Sequence, residues 1–197
     1  MTYNGVVFET NRTDIDGDTL QAISTASKVR NWLDCIVVGG EVLMNVFLVT
    51  DVNFFGKNVG FVKGNGLFRD TDGVVTKAKS ARTGKELSNI AFVRGNSVAV
   101  LIFVNVLFRD ENGAVTNTKK YVLLCEQLRF PAGKYCMEAC AGMLDDNTKD
   151  IIGVVFKEVK EETGIVINND DSGLRHLGSI FPSIGGCDEE IDLYSYV

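Results

Sequence analysis

The sequence predicts an α+β protein in two parts, a small β-rich unit followed by an α/β domain. Three observations carry this. Apolar residues recur at helical spacing in two stretches, near residues 18–34 and 150–163. Alternating or continuous apolar runs of strand length surround them, "EVLMNVFLVTDVNFFG" and "SVAVLIFVNVLF" among them. The chain has 197 residues, 45% hydrophobic and 23% charged, which suits a globular protein of one or two domains.

Taken in order, "DTLQAISTASKVRNWLD" (18–34) reads as one amphipathic helix, with Asp18 as its cap and Leu20, Ile23, Val29 and Leu33 on one side. Strand-forming sequence follows, then "GLFRDTDGVVTKAK" (66–79), where Asp72-Gly73 signals a hairpin. The pattern returns 40 residues later as "VLFRDENGAVTNTK" (106–119), with Asn112-Gly113 at its turn. Two copies are too few for a repeat array, so they are read as similar hairpins without a function. Polar "SARTGKELSN" (80–89) then gives way to a long apolar strand. That places a boundary near residue 94, with a helix plus β-rich domain over 1–94 and a second domain over 95–197. "KYVLLCEQL" (120–128) continues the strands. In the last helix Asp150 can cap the start and Gly164 suits a left-handed end. Ile151, Ile152, Val154, Val155 and Val159 are its candidate core residues.

Composition excludes some functions. A net charge of −6 leaves no basic footprint for bulk nucleic-acid binding. An acidic protein acting on an anionic substrate needs local arginines or a bound divalent cation. The five cysteines form no CxxC pair and there is one histidine, which gives little support for a zinc or disulfide framework; reduced intracellular thiols are expected. The start carries no basic segment followed by an apolar run, and no apolar run reaches membrane-spanning length. A cytoplasmic protein is the expectation, and an organelle address removed upstream is compatible with it. His176, Cys136, Cys140, Tyr121 and Tyr135 are read as surface or packing residues. Trp32 and Phe54-Phe55 could stack on a base, although packing is the default for aromatics.

The last helix poses a question. Glu158, Glu161 and Glu162 stand at offsets of three and four, so their carboxylates are neighbours and repel by a few tenths of a kcal/mol per pair, roughly. Either that side of the helix is solvated, or something strongly positive faces it.

The surrounding residues bear on the choice. "GMLDDNTKDIIGVVFKEVKEETGI" (142–165) resembles the signature of the Nudix hydrolases, matching at Gly142 and then at Lys157, Glu158, Val159, Glu161, Glu162, Gly164 and Ile165. Lys157 stands where that family has arginine, and lysine lacks the planar fork that holds a neighbouring carboxylate. The loop is one residue longer than the family pattern, and no glutamate fills its upstream acidic position; Lys149 or Asp150 lies nearest. Within the family, "FVRGNSVAVLI" (92–102), "CEQLRFPAGKY" (125–135), "EACAGMLDD" (138–146) and "FPSIGGCDEEIDLY" (181–194) are similar to the ADP-sugar pyrophosphatases, especially plant-like ones. The likeness covers roughly residues 45–197.

The resemblance implies a mixed β-sheet between helices, in an α/β/α sandwich beside an N-terminal β-rich domain. A further strand and helix usually follow the segment that ends here at Val197. It implies an Mg²⁺-dependent hydrolase, with Mn²⁺ as a substitute, that cleaves nucleoside diphosphate sugars such as ADP-ribose or ADP-glucose. Glu158, Glu162 and the Ala141 carbonyl would ligate metal, and Glu161 would share a second ion and assist catalysis. Glu189, favoured over Glu190 in mobile "GGCDEE", would be the general base. Arg129, Arg94 and Gly142 would meet the substrate. A homodimer is expected, with no nucleic-acid or membrane partner. Two further readings stay open: a Nudix-fold binding module with little hydrolysis, and a structural protein with an acidic helix.

Overall fold

The computed structural model describes residues 1–38, 41–42, 44–80, 82–144, 150–167 and 172–197. The loop containing Lys149 lies outside the described residues. The chain divides into two compact units, Met1–Gly95 with Phe181–Glu189, and Asn96–Ile180 with Glu190–Val197. Among the described residues no helix is long and apolar enough to cross a membrane.

The first unit contains β1 (Thr2–Tyr3), β2 (Val6–Thr10), α1 (Gly17–Thr25), α2 (Ser27–Asp34), the short pair β3 (Val37–Val38) and β4 (Glu41–Val42), then β5 (Val46–Phe55), β6 (Asn58–Arg69), β7 (Val75–Thr76) and β8 (Ile90–Val93). Its main sheet runs β1-β2-β5-β6-β7, with β8 also on β6. Val6, Phe8, Ile23, Val29, Leu33, Phe47, Val49, Val62 and Val93 form the core, and Trp32 packs edge-on against Phe47.

The single helix expected over 18–34 is two helices. Ser24 and Thr25 turn their hydroxyls back onto the Gln21 carbonyl, at 3.0 and 2.9 Å, and Ala26 is extended (φ −63°, ψ 128°). Such side-chain bonds compete with the helical ladder. The cap is Asp16, not Asp18: its carboxylate accepts from the Thr19 amide at 2.8 Å.

The second unit contains β9 (Ser97–Arg109), β10 (Val115–Leu123), β11 (Cys125–Arg129), β12 (Lys134–Glu138), β13 (Cys140–Met143), α3 (Ile151–Thr163), β14 (Arg175–Ile180) and β15 (Ile191–Tyr196). The sheet order is β10-β9-β15-β14, and β13 also pairs with β9. β15 runs parallel to β9 while β10 and β13 run antiparallel to it, so the sheet is mixed. β11 and β12 make a separate hairpin. The second half of β9 and most of β10 form an exposed ribbon bearing Val104, Val106, Leu107, Phe108, Val115, Tyr121 and Val122.

Helix α3 is the one α-helix of this unit among the described residues, and it packs on β13 and β9. Asp150 accepts from the Gly153 amide at 2.9 Å, and Gly164 ends the helix at φ 75°. Val154, Val155 and Val159 are buried, stabilising by about 2 kcal/mol each. Ile152 is exposed, contrary to expectation. At 3.6 residues per turn it falls just outside the arc of about 140° that the three valines span. Replacing Asp150 with alanine should cost about 1 kcal/mol in denaturant unfolding, because one amide of the first turn loses its acceptor.

Candidate active site

The valine arc answers half of the question raised by the acidic helix. Glu158 and Glu162 project within it, toward the sheet, while Glu161 falls outside. Both are accordingly half-buried and Glu161 is exposed. A merely solvated acidic face does not describe the first two.

Glu162 is held by two donors. Gln127 Nε2 on β11 donates to Oε1 at 2.8 Å, and the Ala141 amide on β13 donates to Oε2 at 3.3 Å. In an extended strand a residue's amide and carbonyl point to the same edge. The Ala141 carbonyl therefore also faces the edge of β13 away from β9, where the Glu162 carboxylate sits. Glu158 lies across Gly142. A Cβ built on that glycine would overlap the Glu158 Cγ, Cδ and Oε1. Gly142 thus leaves the space that a carboxylate fills. Half-buried carboxylates beside an outward backbone carbonyl are hard oxygen donors, a set that fits Mg²⁺ or Mn²⁺.

Glu161 lines a shallow groove of about 550 Å³ with Phe156, Lys157, Lys160, Val166 and Ile167. The three glutamates do not draw their oxygens into one tight cluster. Among the described residues, the one group of three ligand-bearing side chains lying within 4.8 Å of one another is Cys125, Cys140 and Glu162. The two thiols are 3.6 Å apart. Burial pushes the Cys140 thiol up to about 12, with Cys125 and Glu162 adding to the shift.

Arg129 is on β11 and folds onto Glu138 of β12, its Nε 2.9 Å from both carboxylate oxygens and one terminal nitrogen completing the fork. Glu138 raises the arginine's pKa, and Glu162 is near enough to add to that effect. The Glu138 carboxyl is in turn held below its usual range by Arg129.

In the first unit Glu189 is buried and accepts from Arg94 Nη1 at 3.0 Å. Arg94 Nε is buried with no hydrogen-bond partner. Asp188 accepts from the Arg94 amide at 2.8 Å and the Gly95 amide at 3.2 Å, fixing that turn. Burial raises the Asp188 carboxyl in spite of these amides. The Gly186 carbonyl accepts from the Phe92 amide at 2.7 Å, so "GGCDEE" is tied to β8. His176 lies beside Asp192 at 3.3 Å, a surface pairing.

Sequence reasoning passed over Gln127, Glu138, Asp188 and the Cys125–Cys140 pair. One signal was available for two of them: Cys125, Gln127 and Arg129 alternate, so period two puts them on one face of β11.

No protein-family model matches the sequence. The chain is 34% identical over 188 residues to "Nudix hydrolase 14, chloroplastic" of Arabidopsis thaliana, an alignment covering 87% of this chain and 53% of the relative. It therefore spans about half the length of the curated relative it matches. A crystal structure of an ADP compounds hydrolase aligns with 78% of this chain and 68% of its own, at a TM-score of 0.43 and 12% identity.

Proposed function

From the premise that this chain is a relative of the Nudix hydrolases along most of its length, we propose that it hydrolyses the diphosphate of nucleoside diphosphate sugars. The ADP-ribose and ADP-glucose type is the substrate class its segment likeness favours. Water attacks one phosphorus, the bridging P–O bond breaks, and a nucleoside monophosphate and a sugar phosphate leave. The observation that carries the reading is the seating of Glu158 and Glu162 against Ala141 and Gly142.

In this proposal Glu158, Glu162 and the Ala141 carbonyl hold a hard divalent cation, Mg²⁺ or Mn²⁺, and exposed Glu161 shares a second. When bound, such ions neutralise the diphosphate oxygens and make a coordinated water acidic enough to attack at neutral pH. The chain's own groups do the rest. Gln127 and the Ala141 amide aim the Glu162 carboxylate. Gly142 leaves the room in which the Glu158 carboxylate sits, and so places that ligand and the substrate beside it. Arg129 and Arg94 grip phosphate oxygens through bidentate forks, which requires Arg129 to leave Glu138. Glu189 takes the proton from the attacking water once Arg94 turns to the substrate. A homodimer is part of the proposal, and the β9–β10 ribbon, with Val104, Val106, Leu107, Phe108, Val115 and Val122 exposed, is an apolar surface it could cover.

A second reading is favoured by one observation: Glu189 is buried in an ion pair, and a base so held would not turn over. The chain would then bind nucleotide sugars with little hydrolysis. Product release from a panel of ADP-sugars, dinucleoside polyphosphates and NADH, with and without Mg²⁺, separates the two. Hydrolysis that needs the cation and falls at least about a hundredfold in Glu189→Gln supports the first. Ligand binding without product supports the second.

A further inference from the structure

We propose that Cys125, Cys140 and Glu162 form a site for a soft divalent cation such as Zn²⁺ or Cd²⁺. The residues come from three elements, the start of β11, the start of β13 and the last turn of α3, and meet within 4.8 Å. Two thiolates about 2.3 Å from one tetrahedral zinc stand about 3.8 Å apart. The observed separation is 3.6 Å, so the sulfurs need almost no movement. A disulfide asks for more, since its sulfurs bond at about 2.05 Å. Binding would displace the two thiol protons to solvent and leave both sulfurs as anions beside the carboxylate.

The support around the site is also in place. Gln127 and the Ala141 amide fix the Glu162 carboxylate, the outer contacts that ligand sets require. Cys140 is fully buried, whereas Cys125 is half-buried, so an ion could reach the pair from the Cys125 side. Thiolate donors select zinc and cadmium and are poor ligands for Mg²⁺, so this is a different site from the carboxylate one. The two share Glu162. A soft cation here would draw that carboxylate away and slow the hydrolysis proposed above; this clause alone rests on that function.

The test titrates the reduced, full chain with Cd²⁺ in the absence of Mg²⁺. The expected result is a thiolate–cadmium charge-transfer band in the ultraviolet that saturates at one ion per chain. Cadmium should also slow alkylation of Cys125 but not of Cys136, read by peptide mass spectrometry on the unaltered protein. Cys125→Ser should weaken binding by at least about tenfold. A band that persists in the Cys125→Ser, Cys140→Ser double variant would overturn the proposal, since the ion would then sit on other cysteines. So would the absence of any band in the folded protein, which would leave the thiols as packing. In a hydrolysis assay with Mg²⁺, zinc should inhibit the unaltered chain far more than Cys125→Ser. If the chain proves inactive, the cadmium titration still decides the site.

Discussion

Glu162→Gln is expected to lower turnover about a thousandfold, a loss of about 4 kcal/mol of transition-state stabilisation. The substitution keeps the shape and removes the charge on which the proposed cation depends. The cation-free protein should meanwhile lose no more than about 1 kcal/mol of stability. Gln127 can rotate its amide to present oxygen to the new NH₂ group, and the new carbonyl can still accept from the Ala141 amide. Steady-state rates over an Mg²⁺ series, set beside thermal melts in chelator, check both halves. A variant whose melting temperature falls as sharply as its rate would show Glu162 to be a structural strut, and the enzymatic reading would lose its main residue.

Gly142→Ala carries the second large effect. An added methyl occupies the space that the Glu158 side chain holds, yet the obstacle is the end of a flexible side chain and Gly142 has no left-handed backbone. The fold should therefore yield by turning Glu158 aside, at about 1–2 kcal/mol. Activity should drop on the order of a hundredfold, because a misplacement of about 1 Å in a positioning group suffices for that. Pairing the change with Glu158→Ala distinguishes the causes. The double variant should regain stability through relief of the overlap while activity stays low. If stability is not regained, the glycine serves the backbone instead.

Much of α3 was legible because its signals are local: an aspartate cap, valines at helical spacing and a terminal glycine. The half-burial of Glu158 and Glu162 was latent in the same spacing, since both fall inside the valine arc. The break at Ala26 was harder, because it depends on two hydroxyls preferring carbonyls over solvent. The thiol pair and Gln127 depend on how one hairpin lies against a helix, a relation between distant segments. The pairing of Arg94 with Glu189 spans 95 positions, beyond any local pattern.

Strand β9 has a consequence for how the molecule is made. Its first half is flanked on one side by β15, whose partners Ile191–Tyr196 are synthesised some ninety residues later. The first unit likewise includes Phe181–Glu189, with Gly186 bonded to Phe92. Neither unit can complete its pairing until residues 181–196 have been made. A nascent molecule carries an open, apolar edge on β9 until β15 has been made, and products stalled or clipped before it should be chaperone clients and the first material to aggregate.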